Sequence, residues 1–203
     1  MRIARATGQL SLLDTPPRFR LGSNALARNA YGAAAQEIVC SALKLEGIPI
    51  NGNCEFCADA ERRETGDFFE IKSVHRSSKV VVYDWRMEKE ASVSVPLTYA
   101  ILAHNCRKVR DGAALLSAFA AGGLEILELP AREVHRVAFA EPLQTMKKSA
   151  ATGNPRNGYS RKGYANGYRN CPVARLRALC REVGMLSFEL HGLPFAVHHY
   201  AAL

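Results

Sequence analysis

Asp59-Ala-Glu-Arg-Arg-Glu-Thr-Gly-Asp-Phe-Phe-Glu-Ile-Lys-Ser73 decides the fold reading. Residues 53–62 and 67–74 flank a turn-prone segment at 63–66, and the second flank carries Phe-Phe-Glu-Ile-Lys. This reads as a β-hairpin. Residues two apart on a strand share a face, so Glu70 and Lys72 point one way and Phe69 and Ile71 the other, into a core. A two-residue loop at Thr65-Gly66 sets Asp59 opposite Lys72 and Glu61 opposite Glu70. A loop at Glu64-Thr65 sets Asp59 opposite Glu70. Either register leaves Asp59, Glu61, Glu70 and Lys72 on one face, whereas a three-residue loop sends Asp59 to the other. Asp67, three residues from Glu70, falls on the opposite face unless a bulge intervenes.

Upstream of the hairpin, residues 25–45 are rich in alanine and other helix formers. Ser23-Asn24 caps them, and Gly47 and Pro49 end them. Ala35, Ile38, Val39, Ala42 and Leu45 recur at helical spacing. Downstream, residues 79–85 and 98–104 read as strands, 111–121 as a helix closed by Gly122-Gly123, and 124–129 as a further strand followed by a short helical turn. The order α-β-β-β-β-α-β predicts an α/β fold with a mixed central sheet flanked by helices.

The chain divides three ways. Residues 1–22, with Pro16-Pro17, form an N-terminal arm, residues 23–146 a core, and residues 147–203 a basic extension. Charge follows the same division. The net charge of +8 splits into 4 − 1 = +3 for the arm, 14 − 16 = −2 for the core, and 9 − 2 = +7 for the extension, whose nine basic residues all lie in 147–181, a stretch without an acid. That asymmetry points to a polyanion, nucleic acid being the usual one. Residues 149–170 repeat Gly-Tyr three times among Asn, Ser and Arg, with almost no aliphatics, which cannot make a core. Cations there suit phosphates, and tyrosines suit unpaired bases. The candidate nucleic-acid contacts are Lys147, Lys148, Arg156, Tyr159, Arg161, Lys162, Tyr164, Tyr168, Arg169, Arg175, Arg177 and Arg181. The last three lie on a helix expected from Pro172 to Val183. The apolar stretch 185–200 is expected to pack back on the core.

Composition excludes several classes. With 48% hydrophobic and 23% charged residues over 203 positions, the chain is neither disordered nor collagen-like. No apolar run approaches the roughly 18 residues of a membrane span, and residues 1–10 lack the apolar segment of a signal peptide. The expectation is a cytoplasmic protein with no membrane partner. Six cysteines in such a setting are expected as free thiols. Cys54 and Cys57 have zinc spacing, but neither His104 with Cys106 nor Cys171 with Cys180 supplies the usual close second pair, so zinc is not expected.

A carboxylate beside a lysine has a chemical use. The carboxylate holds a divalent cation, and the ammonium stabilises charge on a phosphate or orients water. The same residues would equally serve as a solvated strand face with a surface ion pair. Over residues 23–137, more than half of the chain, the sequence resembles the PD-(D/E)XK nuclease superfamily, the restriction-endonuclease-like fold. Three pieces carry the resemblance in order: the helix with Gly32-x4-Glu37, the acid Asp59, and Glu70-Ile71-Lys72, followed by strand, helix and strand. Ala58 stands where the family motif has proline. The resemblance implies a Mg2+-dependent endonuclease acting on DNA, with Mn2+ able to substitute. It implies Asp59, Glu70 and Glu37 as metal ligands, with Asp67 as the alternative acid, and Lys72 assisting the nucleophilic water. It suits a junction-resolving or a restriction or mobile-element enzyme working as a homodimer, or an inactive relative that only binds nucleic acid.

Overall fold

The computed structural model describes residues 24–48, 58–91, 96–106, 112–145 and 167–203. Helix α1 spans Asn24–Leu43. Ala34, Ala35, Ile38 and Val39 are its buried stripe, spaced as one helix face. The helix stops short of the expected Gly47: Lys44 takes a left-handed conformation at φ 54°. The Leu45 N–H then donates to the Cys40 carbonyl at 2.9 Å, a Schellman-type closure. Leu45 is buried in the same apolar cluster as the helix stripe, and turning the chain there is what delivers it.

Strands β1 (Glu46–Gly47), β2 (Ala60–Arg62) and β3 (Asp67–His75) follow, with β2 antiparallel to both neighbours. Ala60 faces Phe69 and Arg62 faces Asp67. This is the second expected register, but residues 63–66 form a four-residue connection instead of a two-residue loop. The Arg62 carbonyl accepts from the Thr65 and Gly66 N–H groups, and Gly66 supplies a left-handed φ of 73°. The wider turn is closed by its own hydrogen bonds and needs no pairing between 63 and 66. Residues 49–57, including most of the first expected flank and Cys54 and Cys57, lie outside the described residues.

β4 (Lys79–Tyr83) ends two residues before the expected strand does, and an unexpected helix α2 (Asp84–Ala91) begins there. Then come β5 (Leu97–His104), α3 (Gly112–Ala121), β6 (Leu124–Pro130) and α4 (Ala131–Phe139). The short helical turn expected after Pro130 is a nine-residue helix, held by buried Val134, Val137 and Ala138. β7 (Gln144–Thr145) and β8 (Gly167–Pro172) pair antiparallel. α5 covers only Val173–Arg177. The helix expected through Val183 gives way to the hairpin of β9 (Cys180–Leu190) and β10 (Leu193–Ala202). Val173, Leu176 and Cys180 fit a helical period, but Leu186, Phe188 and Leu190 alternate, and sheet pairing wins over that shared stretch.

The main sheet is mixed, in the order β1-β2-β3-β5-β6-β10-β9, and a second sheet runs β4-β8-β7. β3 is parallel to β5 and β6 to β10. The expected α/β class with a mixed sheet flanked by helices is therefore seen. The apolar tail packs on the body, with β10 lying between β6 and β9. The main sheet curls enough that Arg62 on β2 reaches Glu128 on β6 at 3.6 Å. Its two faces bury two cores. Phe69, Ile71, Ala100, Leu102 and Ile126 pack with α1 and α3. Val74, Tyr99, Ile101 and Leu127 pack with the second sheet, α4 and α5. Central β5 is buried on both faces, which is why it reads as a continuous apolar run.

Candidate active site

The residue before β2 and the middle of β3 meet. The Ile71 N–H donates to Asp59 Oδ2 at 2.7 Å, and the Asp59 N–H donates to the Phe69 carbonyl at 2.8 Å. The Asp59 carboxylate therefore sits against the backbone of the residue between Glu70 and Lys72. From the helix side, Gln36 Nε2 donates to the Asp59 carbonyl at 2.7 Å. The Ile48 N–H donates to the same oxygen at 2.9 Å. Asp59 is thus held by α1, β1's flank and β3 together, so its placement is a consequence of how three elements join.

Glu70 is 1% exposed, and Lys72 Nζ forms an ion pair with its Oε1. A solvated strand face does not describe Glu70. A carboxylate taken this far from water costs several kcal/mol unless paired, and Lys72 supplies the pairing charge while its own side chain stays partly exposed. The face that holds Glu70 also holds Val74, so the E-x-K motif lies at the border of the second core and not on open surface.

Glu37 hydrogen-bonds His191 Nε2 at 2.7 Å. His191 sits at the tip of the β9–β10 hairpin with φ 52°, a conformation uncommon for a non-glycine residue. Burial pushes the nearby Cys40 thiol up to about 12, and the Asp59 and Glu37 carboxylates push it the same way. Both carboxylates therefore act electrostatically on one point of α1. Asp67 lies at the turn end of β3, where it accepts from Thr65 Oγ1 at 2.6 Å and faces Arg62 at 4.0 Å. Ser73 leaves β3 on the face opposite Lys72, and its Oγ is buried with no hydrogen-bond partner among the described residues. His75 Nδ1 pairs with Ser77 Oγ at 2.9 Å.

Among the described residues no group of three or more His, Cys, Asp or Glu side chains comes together to hold a metal ion. Mg2+ commonly takes only one or two protein carboxylates and completes its shell with water. Asp59 and Glu70, hard oxygen donors brought to the same stretch of β3, fit that mode. A three-carboxylate cage with Glu37 does not form.

Of the candidate nucleic-acid contacts, Lys147, Lys148, Arg156, Tyr159, Arg161, Lys162 and Tyr164 lie outside the described residues. Four of the others make internal contacts. Tyr168 packs edge-on against Tyr83. Arg169 donates to the Glu141 carbonyl at 2.7 Å, Arg175 pairs with the Glu141 carboxylate, and Arg177 lies over the Tyr200 ring at 3.4 Å. Arg181 is exposed on β9.

Sequence reasoning missed His191 and Gln36. His191-Gly192 between two alternating apolar runs is a hairpin signal that would have placed the former at a tip. It also missed a buried trio. The Tyr99 hydroxyl donates to Glu90 at 2.9 and 3.1 Å, and His135 Nε2 donates to Glu90 Oε2 at 2.7 Å. Nothing in the sequence links positions 90, 99 and 135. No helix of the described residues is long and apolar enough to cross a membrane. Comparison with protein-family models, curated proteins and solved structures finds no match to this chain.

Proposed function

We propose that the chain is a metal-dependent endonuclease acting on DNA, built on a restriction-endonuclease-like core. The observation that carries this reading is the bond from the Ile71 N–H to Asp59, which brings an acid to the E-x-K motif of β3 beside a buried Glu70 paired with Lys72. Asp59 and Glu70 would hold Mg2+ or Mn2+, which lowers the pKa of a bound water and neutralises phosphate charge. Ile71 fixes the Asp59 carboxylate, so the acid is oriented before any ligand arrives. Lys72 keeps its ammonium on Glu70 while its side chain stays partly exposed, and from there it can orient the attacking water or stabilise charge growing on a phosphate oxygen. From α1, Gln36 holds the Asp59 backbone, while Glu37 is engaged by His191. Cutting both strands of a duplex takes two such sites and hence a homodimer.

The second reading is a nucleic-acid-binding module of the same fold without catalysis. It is favoured by the lack of a three-ligand metal group among the described residues.

The test is cleavage in Mg2+ and Mn2+ of linear duplex, supercoiled plasmid, single strands, a flap and a four-way junction. A nuclease cuts at least one of these, and Glu70→Ala and Lys72→Ala each slow it on the order of a hundred-fold or more. Protein that binds DNA equally well in EDTA and cuts none of them with either metal is the binding module.

A further inference from the structure

The buried polar or charged residues among those described are Glu70, Glu90, His104 and His135. Three of the four gather on one side of the main sheet. Glu70 and Tyr99 are register partners in the parallel β3–β5 pair, so their side chains leave the same face from adjacent strands, about 4.8 Å apart at the backbone. Tyr99 is fully buried, and its hydroxyl donates to both oxygens of Glu90 on α2. His135 on α4 donates to the same carboxylate. A carboxylate only accepts, so Nε2 carries the proton. Two helices from the second layer thus pin the ring that stands beside Glu70.

Packing alone does not ask for this. A phenylalanine at 99 would fill the same space, and replacing a buried ionic cluster with apolar side chains is often neutral or stabilising. The cluster is costly, and it stands next to the one other buried carboxylate among the described residues. Groups behind a metal-binding residue that fix its orientation typically change metal affinity ten- to a hundred-fold when removed.

We propose that Tyr99, Glu90 and His135 form a buried positioning network that fixes Glu70 for cation binding. The proposal rests on the reading of Asp59 and Glu70 as a metal site. The residues are positioning groups, since none of them meets the cation.

The test is calorimetric titration of Mn2+ into DNA-free full-length protein, with melting temperature measured on the same samples. Wild type binds Mn2+ and Glu70→Ala abolishes the binding. Tyr99→Phe removes one oxygen from the core and keeps the ring, and is expected to weaken Mn2+ about ten-fold or more. His135→Gln keeps a donor toward Glu90 and retains more affinity than His135→Ala. The network is overturned, with the metal site intact, if Tyr99→Phe and His135→Ala bind Mn2+ within two-fold of wild type, whatever their melting temperatures. Wild type that binds no Mn2+, or binding that Glu70→Ala leaves in place, overturns the metal site and the network with it.

Discussion

Single carboxylates in this protein differ by what surrounds them, and Glu128 shows how. Burial alone would raise its pKa, but the His199 hydrogen bond at 3.0 Å and the Arg62 guanidinium outweigh it and hold the group below the ordinary value of 4.5. A folded pKa below the unfolded one adds stability above the unfolded value, and that stability is lost as pH falls through the folded value. Glu128→Gln is therefore expected to cost about 1.5–3 kcal/mol at pH 7, the scale of a hydrogen bond to a charged group. The gap from wild type should close below pH 4.5, as the wild-type carboxylate also becomes neutral. Urea unfolding at pH 7 and pH 3 measures it, and an equal gap at both would show that the charge of Glu128 adds nothing. At this scale the sequence was legible where spacing is local. Glu70 and Lys72 share a face because a strand repeats every two residues. Glu90 with His135, or Glu128 with His199, are joined only by tertiary folding, and no local period points from one to the other.

Elements were legible where one period dominated. α1 and β5 carry long runs of a single pattern, and both formed close to where that pattern lies. Boundaries failed where two patterns overlapped or where a tertiary contact overrode the local stop signal. The stretch around Cys180 reads as helix from one side and strand from the other, and only the partner strand β10 resolves it. α1 ends at Leu43, with Lys44 as the left-handed closing residue, because burying Leu45 turns the chain before the glycine is reached. That choice leaves a measurable cost. Lys44 is exposed at φ 54°, and a left-handed conformation costs a residue with a Cβ about 1–2 kcal/mol. Glycine removes that strain but gains unfolded-state freedom worth about 0.4–1 kcal/mol. Lys44→Gly is accordingly expected to stabilise the protein by roughly 0.5–1 kcal/mol, read as a higher urea midpoint with an unchanged slope. A lower midpoint would mean that the Lys44 side chain contributes more than its backbone strain costs.

Across the whole molecule, two features lay beyond sequence reasoning for the same reason. β6 pairs in parallel with β10 some seventy residues later, and α2, α4 and the second sheet close over the face that carries Glu70. Both depend on long-range docking of segments whose local patterns fit several topologies. Charge distribution, in contrast, is a sequence property, and the fold decides how much of it remains available to a polyanion. Arg175 is paired with the Glu141 carboxylate, so its charge is already balanced within the protein. Each phosphate-neutralising cation steepens the fall of log binding constant with log salt by about 0.9 on duplex DNA. If the basic segment between β7 and β8 contacts the backbone, replacing Lys147, Lys148, Arg161 and Lys162 together with alanine should flatten that slope by about three to four. Arg175→Ala should leave it within error of wild type, because removing the arginine unmasks the glutamate without removing a phosphate contact. Fluorescence anisotropy of a labelled duplex from 50 to 300 mM salt (about the range over which such slopes are resolved) separates the two. A quadruple variant with the wild-type slope would move the DNA-binding surface off that segment, and a slope flattened by Arg175→Ala would mean that DNA displaces Glu141 to reach the guanidinium.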